Sequence, residues 1–548
     1  MNHPPLKIAL IVDSDIVPIY VQELVQWARQ QDGVEMRQVI VQAVNKPARL
    51  QALPGQLLFK LITRLENRML AGSALHKDHL RRCDIKADMP GLLTVHPDVS
   101  HCGREYRYTD DDASRIRALD LDLIIHCGSG TPRGELSDSA AFGLIALDYG
   151  WDPTGRNACP GEPPGFQEVH ARKDATGFAI RQLNQPHGSD KVLMSGQFQT
   201  KFHYLLNQAA LRKKSNAHLM KLVAQLAADR TLPVQGPAAG TFHNAPRAPG
   251  VAAQFSYGCS LARTVAGKVM TRLLLKRDYR WAFAFSRNNW TSLAMDRSNR
   301  VRNPPNHFLA DPFVVREGNR DFCFVEDYDY SRKRGCIAVY ELNGNNAEAL
   351  GEAIVEPFHM SFPYLFRFGG KLYMCPETSE NRDIRLYECV DFPLRWKLAK
   401  VLMENVSAVD TMIFERDGSW WMFTNIDSAE ADDNSAELFL FFSDNPIEGV
   451  WKAHPRNPLF IDPSRARNAG LLFDGDAIYR VAQRQAFDMY GYGFSINRIS
   501  MLDKERYGET ELRSVKPNFF ANLKGTHHLH SNGFVSVFDY VKLTSVSN

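Results

Sequence analysis

Acidic side chains stand at the start of short apolar strands at widely separated places in the second half of the chain. Asp311 precedes the apolar run 312–315, and Asp410 precedes the run 411–414. Two carboxyl groups that flank a glycosidic bond can act on a sugar, because one protonates the leaving oxygen while the other, about 5–9.5 Å away, is base or nucleophile. We therefore treat Asp311, Asp410 and Glu377 as candidate catalytic residues.

Further polar residues recur near the same strands and are candidate substrate contacts: Glu326, Arg467, Arg480, Gln483, Tyr490, His527 and His528. The planar guanidinium groups of the two arginines suit a phosphate or a carboxylate. The set favours transfer to or from a phosphate-linked or anionic sugar over hydrolysis of a neutral glycan. A structural role stays open, since Asp before Pro caps turns and the arginines can pair with Asp474 or Asp476. No metal site is predicted, because His527 and His528 lack a third ligand at useful spacing.

A repeat of roughly 50–60 residues must position these side chains. Four copies place an apolar strand before a turn and a second short strand, and they begin at 308–315, 361–366, 409–414 and 468–473. A fifth, weaker copy lies around Gly525 to His530. Such a repeat is typical of a β-propeller, in which the inner strand of each blade lines the central channel. The pattern predicts an all-β, five-bladed propeller over residues 281–548, with the polar residues meeting at the channel.

The first half has a different rhythm, in which apolar strands alternate with helices. The segment 7–12 is a continuous apolar run, 34–42 and 122–127 are predicted as further strands, and 19–31 has helical spacing. This alternation predicts a doubly wound α/β domain over residues 1–200 with a mostly parallel sheet. Ligands of such sheets lie beyond the carboxyl ends of the strands, which singles out the loop from Gly128 to Arg133. Residues 201–280 are predicted to form a connector with helices at 202–227 and 265–276.

Residues 7–196 resemble the formyltransferase domain of methionyl-tRNA and sugar-nucleotide formyltransferases, a Rossmann-like fold. The resemblance is carried by 121–130, 143–148, 175–181 and 183–193. In that family an Asn, a His two residues later and an Asp in a later loop handle the formyl donor and the proton.

The three family positions fall here on Ala146, Asp148 and Gly188, so all three residue types have changed. Loss of an oxyanion donor costs about 2.7–4 kcal/mol of barrier. We therefore expect a degenerate site in a scaffold or binding domain. A sugar N-formyltransferase that uses 10-formyltetrahydrofolate, with Asp190 or His187 as substitute, is the alternative.

From about Trp281 onward the chain resembles the five-bladed fold of glycoside hydrolase families 43 and 32. It resembles more closely the propeller domain of plant glucosaminyl inositolphosphorylceramide transferases and of bacterial polysaccharide-biosynthesis proteins. The matching segments are 310–313, 324–326, 361–364, 376–378, 451–458, 466–470, 479–483, 490–491 and 526–528. The resemblance implies that Asp311 is a general base and Asp410 an orienting carboxylate. The position of the family's acid falls on 468–470, which holds no carboxylate, so Glu377 or Glu326 would have to replace it.

Composition narrows the partners. The 548 residues carry a net charge of +3, which gives no argument for nucleic acid. Nine cysteines without a CxxC pair favour a reduced, cytoplasmic compartment. No apolar run approaches the ~20 residues of a membrane span, so any membrane contact is expected to be peripheral.

Together these features predict a cytoplasmic, carbohydrate-active protein of cell-surface polysaccharide or glycolipid biosynthesis. The leading hypothesis is a transferase whose partner is a sugar linked to a nucleotide or lipid phosphate. A glycan-binding module or a glycoside hydrolase remains an alternative, and no cofactor is required outside the formyltransferase alternative.

Overall fold

The computed structural model describes residues 3–43, 54–99, 105–133, 135–151, 163–183, 189–238, 248–271 and 277–545. The chain forms two compact units, Met1–Arg263 and Thr264–Asn548. Gly188, His187 and residues 272–276 of the predicted connector helix lie outside the described residues. Among the helices that are described, none is long and apolar enough to cross a bilayer.

The first unit contains the following strands: β1 (Leu6–Val12), β2 (Ile16–Pro18), β3 (Val34–Gln42), β4 (Arg82–Asp84), β5 (Leu92–Val95), β6 (Asp98–Val99), β7 (Glu105–Arg107), β8 (Leu123–His126), β9 (Thr131–Arg133), β10 (Leu144–Tyr149), β11 (Ala175–Leu183), β12 (Lys191–Gln199) and β13 (Gly236–Pro237). Its helices are α1 (Ile19–Gln30), α2 (Pro54–Met69), α3 (Ala74–Leu80), α4 (Asp110–Arg117), α5 (Phe166–His170) and α6 (Tyr204–Asp229), and α7 (Val251–Val269) runs across the boundary between the units.

The main sheet of the first unit has the order β13-β12-β11-β10-β8-β1-β3-β5. The five strands from β10 to β5 are parallel, whereas β11, β12 and β13 extend the sheet in antiparallel fashion. Ile116 of α4 packs on one face with Ala9 and Ile11, and His218 of α6 stacks on Phe178 of β11. The predicted α/β domain with a parallel core is therefore confirmed, and the antiparallel extension was not foreseen.

Helices α6 and α7 occupy the segment that was predicted to be a connector. Helix α6 packs against β10 and β11, and the Asn216 side-chain amide donates to Tyr20 O at 3.0 Å. The second helix was predicted to start at residue 265 but begins at Val251. Gly258 lowers its intrinsic helix propensity, and the hydrogen bond from the Tyr257 hydroxyl to Glu66 anchors it instead.

The second unit contains the following strands: β14 (Arg277–Ser286), β15 (Asn299–Arg300), β16 (His307–Glu317), β17 (Arg320–Asp329), β18 (Arg334–Asn343), β19 (Asn346–Ile354), β20 (Ser361–Phe368), β21 (Lys371–Glu377), β22 (Asp383–Asp391), β23 (Arg395–Glu404), β24 (Ala408–Arg416), β25 (Ser419–Ile426), β26 (Glu437–Ser443), β27 (Lys452–Ala453), β28 (Phe460–Ile461), β29 (Asn468–Asp474), β30 (Ala477–Ala486), β31 (Met489–Leu502), β32 (Tyr507–Val515), β33 (Leu523–Gly525), β34 (Leu529–Ser531) and β35 (Ser536–Ser545).

These strands build five antiparallel sheets. Four sheets follow the chain as β16–β19, β20–β23, β24–β28 and β29–β32, and the fifth combines β14 and β15 with β33, β34 and β35. One strand of each sheet, its inner strand, contacts the inner strands of the two neighbouring sheets. These contacts form a ring: β16 with β20, β20 with β24, β24 with β29, β29 with β34, and β34 with β16. Phe313, Phe362, Met412 and Leu471 from four of these strands share one apolar cluster. The sheets follow one another as the blades of a propeller do.

A β-bulge interrupts each of four inner strands at a corresponding place. The strand register shifts between Ala310 and Phe313, Ser361 and Tyr364, Val409 and Met412, and Asn468 and Gly470. The residue inside or at the end of each bulge has a positive φ: Asp311 50°, Phe362 45°, Asp410 51° and Gly470 128°. Because a bulge re-aims side chains out of the strand alternation, it sets the direction of the two carboxylates that the sequence singled out.

Candidate active site

Asp410 and Arg467 form a close, buried ion pair. Arg467 Nε donates to Asp410 Oδ2 at 2.6 Å, and Nη2 lies 3.5 Å from Oδ1. Gln483 Nε2 lies 3.4 Å from Asp410 Oδ2, and Glu377 Oε2 lies 3.9 Å from Arg467 Nη2. Asp410 lies in the third sheet, Arg467 directly precedes the first strand of the fourth, and Glu377 ends β21 of the second, so residues distant in sequence meet here.

A second group forms around Asp539 of β35. Its Oδ1 accepts from the backbone N–H groups of His527 and His528 at 2.9 and 3.0 Å, and its Oδ2 lies 2.6 Å from His527 Nδ1. The backbone N–H of Asp311 donates to the same carboxylate at 3.3 Å. Asp539 therefore joins the fifth sheet to the bulge of the first.

Asp311 lies near two histidines, His527 and His528, in the connection from β33 to β34. Its Oδ1 is 3.7 Å from His527 Nδ1 and 3.8 Å from His528 Nδ1. Burial raises the pKa of Asp311 to about 7, although the charge of His527 acts in the opposite direction. Burial and the neighbouring carboxylates Asp311 and Glu377 raise the pKa of Glu326 well above its ordinary value.

The remaining groups have different protonation. Burial raises the pKa of Asp410 to about 6, and Arg467 limits the shift. Burial lowers the pKa of His527, but Asp539 and Asp311 outweigh that effect and raise it overall. Burial holds the pKa of His528 well below 6.5, so that this imidazole is neutral. Near neutral pH the site therefore combines a protonated carboxyl at Glu326, a carboxyl at Asp311 that titrates, and a mostly ionised Asp410.

Aromatic rings border the cluster. Trp281 stacks on His527 with 3.8 Å between ring centroids and 17° between planes. The Arg467 guanidinium lies 4.9 Å from the ring centroid of Tyr490, and 42% of the surface of Tyr490 is exposed to solvent. An exposed aromatic face beside buried carboxyl groups is a surface on which the apolar face of a sugar ring can rest.

Arg480 does not face the site, and its predicted contact with a ligand is corrected here. Its guanidinium donates to Glu509 through Nε at 2.8 Å and through Nη2 at 2.6 Å, and the residue is fully buried. Its Nη1 and Nη2 also donate to the backbone carbonyl groups of Ala466 and Arg465. Since all of its donor nitrogens are engaged, Arg480 is a structural residue, with Glu509 as its partner instead of Asp474 or Asp476.

Three of the clustered residues could hold a divalent cation. The ligand atoms of Asp311, His527 and Asp539 lie within 4.8 Å of one another, and all three residues are buried. The sequence alone did not reveal a third ligand, because Asp311 and Asp539 lie 228 positions apart in the chain and meet only in the folded unit. Two carboxylates and an imidazole suit such a cation, while a protonated His527 would satisfy the same carboxylates by itself.

The predicted trio of the first unit does not form a site among the described residues. Ala146 is buried in the apolar core. Asp148 Oδ2 accepts from Arg181 at 2.7 Å, and Arg181 also donates to Asp190 at 2.9 Å. Asp148 and Asp190 thus neutralise a buried arginine, and Gly188 lies outside the described residues.

Sequence reasoning missed Asp539 as a site residue and Trp281 as the ring that stacks on His527. One signal was available, because Asp539 interrupts the apolar strand Val537-Phe538-Asp539-Tyr540-Val541. A carboxylate at a buried strand position needs donors. Their identity, the backbone of residues 527 and 528, follows only from the folded strands.

Comparison with protein families gives a match over residues 292–539, to a family described as "Glucosamine inositolphosphorylceramide transferase 1, N-terminal". Glucosamine inositolphosphorylceramide transferase 1 of Arabidopsis thaliana is 33% identical over 260 residues, which are 44% of this chain and 33% of the relative. The protein of the same description from Oryza sativa subsp. japonica is 33% identical over 250 residues, 43% of this chain and 33% of the relative. The chain thus spans about a third of the length of these relatives.

The solved structures to which the chain is similar include glycosidases. A family 117 glycoside hydrolase from Zobellia galactanivorans has 10% identity and a TM-score of 0.33, covering 49% of this chain and 91% of that one. The catalytic domain of a GH62 α-L-arabinofuranosidase from Coprinopsis cinerea has 11% identity and a TM-score of 0.34, covering 48% and 97%.

Proposed function

We propose that the second unit is a five-bladed, carbohydrate-active propeller that takes part in assembling a cell-surface glycolipid or polysaccharide. In this proposal the buried carboxyl cluster around Asp311 and Asp410 binds the sugar of a phosphate- or lipid-linked substrate and serves the transfer of that sugar. The carrying observation is the convergence of carboxyl groups from separate sheets on one buried place, where burial raises their pKa values by different amounts. The similarity of residues 292–539 to glucosamine inositolphosphorylceramide transferases supports the same class.

The protonation pattern suggests roles for the carboxyl groups. Asp410, held ionised by Arg467, would accept the proton of the attacking hydroxyl group. Glu326, whose pKa is raised, would give a proton to the departing oxygen. This assignment supplies the acid that residues 468–470 lack.

The charge of the cluster changes the expected sugar. Two cations, Arg467 and His527, face five carboxyl groups, of which only that of Glu326 is held protonated by its raised pKa; the other four belong to Asp311, Glu377, Asp410 and Asp539. With Arg480 engaged elsewhere, a uronic sugar would meet more negative than positive charge. We therefore propose an amino sugar, whose ammonium group would pair with the carboxylates. The negative charge of the substrate would then be on the phosphate that links the sugar, and the sugar itself would not be anionic.

Titration calorimetry tests the proposal. We expect UDP-glucosamine to bind more tightly than UDP-N-acetylglucosamine, and UDP-glucuronic acid to bind worst. Binding of the amine should release protons, seen as a dependence on the ionisation enthalpy of the buffer, because a cation lowers the raised pKa values. Asp311→Asn and Asp410→Asn should remove the preference for the amine, while Asp417→Asn, at the exposed turn after β24, should keep it. Tightest binding of UDP-glucuronic acid would contradict the proposed sugar.

A non-catalytic glycan-binding module is the second candidate. The matched family segment is named N-terminal and the chain spans a third of the relatives, so the relatives' chemistry need not lie in the shared part. Binding of the amino sugar without turnover, in the presence of inositolphosphorylceramide as acceptor, would favour the module. Cleavage of a neutral oligosaccharide would instead favour a hydrolase.

The formyltransferase alternative and the cytoplasmic location differ in their support. The formyltransferase alternative finds no support, because Asp148 and Asp190 are both bonded to Arg181. A cytoplasmic location belongs to the proposal, since nucleotide sugars are the donors it invokes. Fractionation of cells that express the tagged chain tests it.

A further inference from the structure

A cavity of about 250 Å³ lies in the first unit, away from the cluster of the second. It opens where β1 and β8 end, and its lining includes Asp13, Tyr20, Arg82, Ser129 and Arg212. From β1 the chain runs to β3 and β5 on one side, whereas β8 and β10 lie on the other. The cavity therefore sits at the switch point of the parallel sheet, the place where such sheets bind ligands.

Two arginines reach this cavity without an acidic partner among the described residues. Arg212 of α6 lies over the ring of Tyr20 at 5.4 Å, and its buried Nε has no hydrogen-bond partner there. Arg82, at the start of β4, makes no ion pair with any residue that the structure describes, whereas its neighbour Arg81 is paired with Asp78. The nearby acids Asp15 and Asp78 are engaged by Lys86 and Arg81.

The single carboxylate of the lining is already engaged. Asp13 accepts from the backbone N–H of Ser129 at 2.9 Å and from Gln42 Nε2 at 2.6 Å. A Cβ at Gly128 would lie 2.8 Å from the Asp13 carboxylate, so the glycine allows this close approach. The two arginines and Asp13 leave a net positive charge.

The charges of the two arginines also act on a neighbouring histidine, His79. Burial, together with the charges of Arg212 and Arg82, lowers the pKa of His79 to about 4. The first turn of α1, with Tyr20 and Val21 in the lining, adds the positive end of a twelve-residue helix. Unpaired guanidinium groups and a helix N-terminus together suit a phosphate group.

We propose that this cavity is a second ligand site, which binds a small phosphomonoester such as a sugar phosphate, with the phosphate between Arg82 and Arg212. The Asp13 carboxylate, held in place by Ser129 and Gln42, lies across the cavity and can accept a hydroxyl group of the same ligand. The volume suits one phosphate and one ring. The site is independent of the function proposed for the second unit.

Calorimetric titration of the full chain with inorganic phosphate, glucose 1-phosphate, glucuronic acid and methyl glucoside tests the site. We expect glucose 1-phosphate to bind best and methyl glucoside not to bind. Arg82→Ala and Arg212→Met should each weaken phosphate binding by about tenfold or more, the range for a charge-assisted hydrogen bond. Arg81→Ala is the matched control and should leave binding unchanged.

Further variants keep the test decisive. If Arg212→Met fails to fold, Arg212→Lys should fold and still weaken binding, because it keeps the charge and loses the planar fork. Asp13→Asn should strengthen binding of inorganic phosphate and reduce the advantage of glucose 1-phosphate. No binding of either phosphate by the parent chain, equal binding by Arg82→Ala, or equal loss in Arg81→Ala would overturn the proposal.

A separate observation concerns helices α2 and α7, which pack together through Ile62 and Gly258. Leu57, Leu61 and Leu65 of α2 are more than half exposed at helical spacing, as are Val251 and Phe255 of α7. Exposed cations flank this stripe, and Lys60, Arg64, Arg68 and Arg263 form no ion pair among the described residues.

We infer that this apolar and basic surface, defined by Leu57, Leu61, Leu65, Val251 and Phe255, rests on an anionic lipid bilayer. Apolar side chains beside unpaired cations match the acyl boundary and the headgroups of such a membrane. A second copy of the chain would place like charges against each other. The bilayer is therefore the occupant that the charges favour.

Cosedimentation with vesicles tests this surface. The chain should bind vesicles of phosphatidylcholine with phosphatidylglycerol, and bind pure phosphatidylcholine at least several-fold more weakly. The double variant Leu61→Glu/Leu65→Glu should lose binding, while Leu512→Glu, at an exposed leucine of β32, should keep it. Equal sedimentation of both variants, or a dimer abolished only by the double variant without vesicle binding, would overturn the inference.

Discussion

Asp311 combines deep burial with a position between two histidines. Its pKa of about 7 in the folded chain lies well above its ordinary value of 3.8. Between these values the folded state holds a proton that the unfolded state has released. The free energy of unfolding should therefore fall as the pH rises through this window, and the raised pKa of His527 acts in the same direction.

Asp311→Asn should flatten this pH dependence. The amide keeps the shape of the side chain but does not titrate, so part of the loss of stability between about pH 4 and pH 7 should disappear. Urea unfolding of the second unit across this range measures the effect, with Asp417→Asn as the exposed control. The same slope in parent and Asp311→Asn would show that this carboxyl group is not protonated in the fold.

Arg480 and Glu509 form a fully buried ion pair. Arg480→Met should destabilise the second unit by about 3–5 kcal/mol, because Glu509 would stay buried without its partner. The double variant Arg480→Met/Glu509→Leu should recover much of that loss. Denaturant titration measures both, and reduced sugar binding by a folded Arg480→Lys would contradict the structural role.

At the scale of elements, the bulged inner strands are the units that position the site. Three of the four positive-φ positions hold side chains other than glycine, and two of these are Asp311 and Asp410. Asp tolerates the left-handed region better than most residues. At these two bulges, Asp therefore both adopts the positive φ and supplies a carboxyl group to the site.

Gly470 tests the bulge by itself. A Cβ there would lie 2.3 Å from Leu529 O of the neighbouring inner strand, at a φ of 128°. Gly470→Ala should therefore destabilise the second unit by at least about 1–3 kcal/mol. Gly475→Ala, with φ 54° and nothing within 4 Å of the new Cβ, should cost less. Equal unfolding midpoints for the two variants would contradict a contact between these strands.

The sequence predicted the elements better than their long-range contacts. The strand pairs of the repeat are local in sequence. The alternation around Asp311 and Asp410, with the turns after them, was therefore sufficient to predict these strands. Arg480 could not be distinguished from Arg467 by sequence, and only the pairing of β31 with both β30 and β32 brings Glu509 to it. The Asp539 group depends likewise on strands more than two hundred positions apart, for which a single sequence carries no signal.

At the scale of the molecule, each unit has its own apolar core. The core of the first includes Ile11 and Ile124, and that of the second includes Phe313 and Met412. Calorimetry should therefore resolve two unfolding transitions. Asp148→Ala, which removes the hydrogen bond from Arg181 to Asp148, should reduce the free energy of unfolding of the first unit by about 1 kcal/mol or more, which exceeds the effect of a surface change.

Arg480→Met should lower only the other transition, since Glu509 lies in the second unit. Near-ultraviolet circular dichroism during heating assigns the transitions, because six of the eight tryptophans belong to the second unit: Trp281, Trp290, Trp396, Trp420, Trp421 and Trp451. A single cooperative transition that both variants shift equally would contradict independent cores.

The pairing of β14 with β35 has a consequence for synthesis on the ribosome. Strand β14 leaves the exit tunnel first, yet its partner Ser536–Ser545 is translated roughly 250 residues later, a delay of about 10–50 s at common elongation rates. During that delay β14 is a nascent edge strand without its partner, and such edges recruit other chains. Slow codons or ribosome stalling between the two strands should therefore raise aggregation of the newborn chain, and chaperones that act on nascent chains should suppress it.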